Sequence, residues 1–197
     1  MEKFKLDTNN KTLRLVLSAI MIAIGTVLSM FKFNGLWVYG GGVTFCAMLP
    51  LTIISFIYGT KWGVFTAFVF SLVQMVLGVH NVLYGTSVLM MIVIALLDYI
   101  IAYTVIGLAG IFKGKLNNRI AEIILGTVIA LSLRFLCHFL SGWMIWDALW
   151  PNEMGMASWI YSLAYNGSYM LPEIVITALV GALLEKVAKF TSWGLQE

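Results

Sequence analysis

Charge is scarce in this 197-residue sequence. Only 11% of its residues are Asp, Glu, Lys or Arg, against 61% hydrophobic, and the mean hydropathy is +0.95. An ordinary soluble domain carries about 25% charge and 45–50% apolar residues. That deficit excludes a water-soluble fold, and the apolar excess excludes disorder. Cysteine is sparser still. Cys46 and Cys137 both sit in apolar runs, where they read as small buried hydrophobes and not as a disulfide or a metal pair. Only two histidines and no H-E-x-x-H argue against a membrane metalloprotease, and no metal site is expected. GTKWG has the Gly and Lys of a phosphate loop but not its spacing. Ser132 and His138 stand in no nucleophile-elbow context, so no catalytic residue is expected. The net charge of +3 is too small and too dispersed for nucleic-acid binding.

What is present is a series of long apolar runs. A membrane span needs roughly 20 apolar residues, so the length accommodates about six helices with short loops. It leaves no room for a soluble catalytic or nucleotide-binding domain. The runs place helices over 13–31, 43–58, 63–79, 86–112, 120–146 and 158–190. The chain therefore reads as one all-α integral membrane domain over residues 1–197. The first run lacks a small-residue cleavage signature and is a span, not a removed signal peptide. A transmembrane barrel would show alternating ten-residue strands, which are absent from the pattern.

Basic residues set the orientation. With the N-terminus inside, Lys3, Lys5, Lys11, Arg14, Lys61, Lys113, Lys115, Arg119, Lys186 and Lys189 are all cytoplasmic. Lys32 alone lies outside, and Arg134 falls within the fifth span. This is the positive-inside signature, and both termini are cytoplasmic.

An ionisable residue in mid-span is expensive and marks a functional site by default. Asp98, Arg134, His138 and Glu173 are such residues. The plainer reading is an ion pair that orients helices, such as Arg134 with Asp98 or with Glu173. Asp98 and His138 keep other company. Tyr99 adjoins Asp98; Trp143 and Trp146 follow His138; Tyr161, Tyr165 and Asn166 open the sixth run; His80 and Tyr84 precede the fourth. All can converge in the outer half of a bundle. A carboxylate, aromatic faces, a histidine and an amide suit a flat, cationic, hydrogen-bonding ligand. A proton path would also use Asp and His. In the first run, Ala19 and Ala23 stand four apart, a spacing that lets another helix approach closely.

The segments GGGVTFCAMLP, IISFIYGTKWG, VQMVLG, LLDY, HFLSG and WIYSLAYNGSYMLP, in this order and spacing, extend over most of the chain. Together they resemble the thiamine-specific substrate-binding (S) components of energy-coupling factor vitamin importers, the ThiT family. The resemblance implies a six-helix bundle with both termini inside the prokaryotic plasma membrane. It implies thiamine as ligand, bound by Asp98, Tyr99, His138, Trp146, Tyr161, Asn166 and Tyr84. It further implies that Ala19 and Ala23 dock on a shared transmembrane coupling subunit served by two ATPases, with no cofactor in this chain. Some relatives carry a tryptophan and a second acidic residue entering helix 2, and residues 41–45 match neither, although Trp37 is close by. The glycine-rich loop at 39–42 is expected to help close the pocket. Two other readings remain at this point: an S component for another vitamin or a thiamine precursor, and a solitary proton-coupled transporter. A membrane hydrolase is a weaker third.

Overall fold

The computed structural model describes residues 10–34 and 42–190. Trp37, Lys3, Lys5 and the 39–42 loop apart from Gly42 lie outside them. Helix α1 (Lys11–Met30) starts where the Asn10 side chain accepts from the Leu13 amide, an N-cap that satisfies one of the free donors of the first turn. It ends at a short antiparallel pair, β1 (Lys32–Asn34) with β2 (Gly42–Thr44), in which Phe33 faces Val43.

The second run is not helical throughout. Helix α2 occupies only Leu49–Tyr58, so residues 43–48 of the expected helix are extended or turning. Ten residues rise about 15 Å, half of a hydrocarbon core of roughly 30 Å. The reason is Pro50, which sits in the first turn, where its missing N–H costs nothing. Although short, α2 is nearly all buried, and Leu51 and Met48 join Phe70, Ile106, Leu131 and Ile174 in one core. It packs chiefly against α1, the helix that follows it and the segment Val105–Phe112.

Four further long helices complete the bundle, with one short turn among them. These are α3 (Thr60–Leu77), the one-turn α4 (Val79–Val82), α5 (Val88–Phe112), α6 (Arg119–Leu149) and α7 (Ser158–Ala188). Helices α1, α3, α5, α6 and α7 are long and apolar enough to cross a membrane. At the end of the bundle that holds the α2–α3 turn the backbones approach closely. Ser55 donates to the Gly107 carbonyl at 2.6 Å and accepts from the Gly110 amide at 2.9 Å, clasping the tight 3-10 end of α5 onto α2. Lys113 donates to the Ile57 carbonyl at 2.8 Å, where the C-terminal end of α2 presents unsatisfied acceptors. Burial there pushes the Lys113 ammonium below its usual range, and neighbouring Arg119 adds to the push.

Two departures from regular helix matter for function. Residues Ala95–Ile100 of α5 and Gly142–Trp146 of α6 are π-helical. Such segments insert an i→i+5 turn and re-aim the side chains around it.

Candidate functional site

Asp98 lies in the π segment of α5 and is buried. Three donors from α6 converge on its carboxylate. His138 Nδ1 meets Oδ1 at 3.1 Å, while Ser141 Oγ and Trp146 Nε1 donate to Oδ2 at 2.7 and 2.8 Å. On a regular α-helix, residues five apart point about 140° away from each other. The π turn between Ser141 and Trp146 closes that angle and lets both reach one oxygen. A carboxylate has about four acceptor sites, so three protein donors leave one for a ligand. With Asp98 as its acceptor, His138 Nδ1 carries a proton, and in the neutral ring Nε2 is an acceptor. That Nε2 is buried and has no hydrogen-bond partner.

Helix α7 closes against this cluster through Gly142. A Cβ at that position would collide with Ser162 Oγ and crowd Asn166 Nδ2, so the glycine permits the approach. Ser162 donates to the Phe139 carbonyl at 2.7 Å. Asn166 Nδ2 donates to the His138 carbonyl at 3.2 Å and to the Ser162 carbonyl at 3.0 Å, and its Oδ1 accepts from Tyr169 at 2.8 Å. Asn166 thus fixes the α6–α7 junction as well as facing the cavity. Tyr99 has a similar double role. Its hydroxyl donates to the Gly78 carbonyl at 3.0 Å and accepts from Asn81 at 2.9 Å, tying α5 to the α3–α4 corner.

Together these elements enclose a cavity of about 500 Å³. Asp98, Tyr99, His138, Trp146, Tyr161 and Asn166, six of the seven expected ligand residues, line it. Tyr84 does not. It stands edge-on to Trp146 and Trp150, with ring centroids 6.5 and 5.0 Å away. Trp146 and Trp150 stack nearly parallel at 5.5 Å, so an aromatic wall rises beside the carboxylate. Asp147 lines the cavity beside this wall and buttresses the outer loop, accepting from Asn152 at 3.0 Å and from the Ser158 hydroxyl. Trp143 and His80 do not join the site: both are exposed, and Trp143 packs on Phe139. Ser141, Trp150 and Tyr169 are site residues that sequence reasoning passed over, although Trp150 was legible as an aromatic of the same outer loop.

Arg134 and Glu173 pair, as the plainer reading of the sequence expects, with Nη1 3.9 Å from Oε1. The guanidinium also sits 4.8 Å from the Tyr103 ring centroid, an attraction that strengthens away from water. Glu173 accepts from Thr44 at 2.6 Å and so ties β2 to α7. Ala19 and Ala23 lie far from this chemistry in the sequence. They are exposed on the outward face of α1, flanked by exposed Leu15, Ile20, Ile24 and Val27.

Residues 15–191 match the family model described as thiamine transporter protein (Thia_YuaJ). The sequence is 33% identical over 191 residues to thiamine transporter ThiT of Bacillus subtilis, covering 91% of this chain and 93% of that protein. It is 26% identical over 156 residues to thiamine transporter ThiT of Lacticaseibacillus paracasei, covering 72% of each. A solved structure of ThiT from Listeria monocytogenes superposes with a TM-score of 0.72, at 19% identity, over 92% of this chain and 98% of that one. That likeness is one of fold.

Proposed function

Because the chain belongs to the thiamine transporter protein family, we propose that it is a single-domain membrane subunit that captures thiamine from outside the cell. The observation that carries this reading is the Asp98 carboxylate, held by three donors at the wall of an aromatic cavity and still offering an acceptor position. Thiamine has a permanently charged thiazolium and an aminopyrimidine. Asp98 supplies the countercharge, and Trp146 supplies a face for stacking and cation–π attraction. The unpartnered Nε2 of His138 accepts from the exocyclic amine, a bond that offsets the cost of leaving that nitrogen buried and empty. Tyr161, Tyr99 and Asn166 complete the polar wall, and Tyr84 braces Trp146 from behind. Exclusion of water strengthens each electrostatic contact.

Capture is followed by transport without chemistry on the substrate. Energy comes from partners: a transmembrane coupling subunit that docks on the Ala19–Ala23 face, and two ATPases beneath it, in the prokaryotic plasma membrane. Titrating the purified chain with thiamine and with riboflavin while following tryptophan fluorescence tests the reading. Quenching by thiamine at nanomolar to low-micromolar levels, with none by riboflavin, is expected. The reverse preference identifies an S component for another vitamin, and proton-driven accumulation by this chain alone in vesicles identifies a solitary transporter.

A further inference from the structure

The same cavity contains a second polar pair that the countercharge role of Asp98 does not use. Arg134 and Glu173 line it, with only 7% and 3% of their surfaces exposed. Their 3.9 Å separation neutralises charge but is too long for a hydrogen bond. Nε and Nη1 of Arg134 are buried without a hydrogen-bond partner. A buried donor on a cation is costly to leave empty. The groups that face it are Tyr103, Tyr169 and Glu173, and the carboxylate is itself held in place by Thr44. Arg134 and His138 are four residues apart on α6, so Arg134 lies roughly 6 Å nearer the cytoplasm than the histidine.

We propose that the Arg134–Glu173 pair is the subsite for the ligand's hydroxyl group, which accepts from Arg134 Nη1 and donates to the Glu173 carboxylate. The proposal rests on thiamine being the ligand, since its thiazolium carries a hydroxyethyl arm. A hydroxyl is both donor and acceptor, so it can bridge a gap of this length between a guanidinium and a carboxylate. An alkyl group fills neither role. A phosphate ester satisfies Arg134 but brings its negative charge against Glu173. The pair therefore selects the free vitamin over both its deoxy analogue and its phosphate ester.

Calorimetric titration of the full purified chain tests this with three probes: thiamine, an analogue with ethyl in place of hydroxyethyl, and thiamine monophosphate. The wild type is expected to bind thiamine at least tenfold more tightly than the ethyl analogue. Arg134→Met is expected to bring that ratio close to one by weakening thiamine alone; unchanged affinity for the ethyl analogue shows that the variant is folded. Glu173→Gln keeps the shape and removes the repulsion, so it is expected to shift preference towards the monophosphate by at least fivefold. Equal affinity of the wild type for thiamine and the ethyl analogue overturns the subsite, as it would if the gap held a water only. If Arg134→Met does not fold, an unshifted monophosphate preference in Glu173→Gln overturns it instead. Failure of the wild type to bind thiamine at all overturns the thiamine reading itself, a different outcome from loss of selectivity.

Discussion

Trp146 Nε1 donates to Asp98 Oδ2 at 2.8 Å, so the ring beside the cavity is held by the carboxylate proposed as the countercharge for the ligand. The two groups proposed for countercharge and stacking are therefore one mechanical unit, with α5 supplying the acid and α6 the ring.

Asp98→Asn removes the charge while keeping a carbonyl oxygen that can still accept from Ser141 or Trp146. Thiamine affinity is expected to fall at least tenfold, or about 1.4 kcal/mol, with the melting temperature largely retained. Trp146→Phe keeps an aromatic face but leaves Asp98 one donor short, and a several-fold loss is expected. Isothermal titration measures both, and unchanged affinity in Asp98→Asn contradicts the countercharge role.

Gly142→Ala places a methyl group against Ser162 and Asn166 at the α6–α7 junction. Overpacking of this kind costs roughly 1–3 kcal/mol, and both thermal stability and thiamine affinity are expected to drop. Gly167→Ala on the same junction helix is the control. There a Cβ meets only the Leu171 side chain at 3.9 Å, and the change is expected to be neutral or to stabilise by up to about 1 kcal/mol through helix propensity. Equal effects in the two variants would contradict the close-approach argument.

Ala19→Leu enlarges a side chain on an exposed face of α1, away from the cavity. Thiamine binding by the isolated chain is expected to be unchanged, while uptake by vesicles containing the coupling subunit and its ATPases is lost. Normal uptake would place the docking surface elsewhere, and loss of binding would point to a damaged fold.

Part of this site was visible in the residues themselves. Asp98 and His138 stand out because charge and imidazole are costly in a span, and that cost is a property of the residue, whatever its neighbours. Ser141 gives no such signal, since a serine in a helix can satisfy itself locally. Trp143 and Trp146 look equivalent at a spacing of three, which on a regular helix puts them on neighbouring faces. The π turn spanning Gly142–Trp146 separates them, leaving Trp143 45% exposed and Trp146 bound to Asp98. The second run is a similar case. Its apolar length reads as a span, but Pro50 marks a helix start and residues 42–44 pair with 32–34 instead. Strand pairing is non-local and leaves no periodic trace in so short a segment.

The sequence alone determined that the chain lives in a membrane and which buried ionisable groups require explanation. These follow from transfer free energies, which add up residue by residue. Tertiary structure decided which partners meet those groups: Ser141 and Trp146 on Asp98, and Glu173 beside Arg134. That choice depends on distances of a few ångströms between separate helices and on two π turns that shift the faces of α5 and α6. Hydrogen bonds are lost over such distances, so only the folded arrangement fixes them.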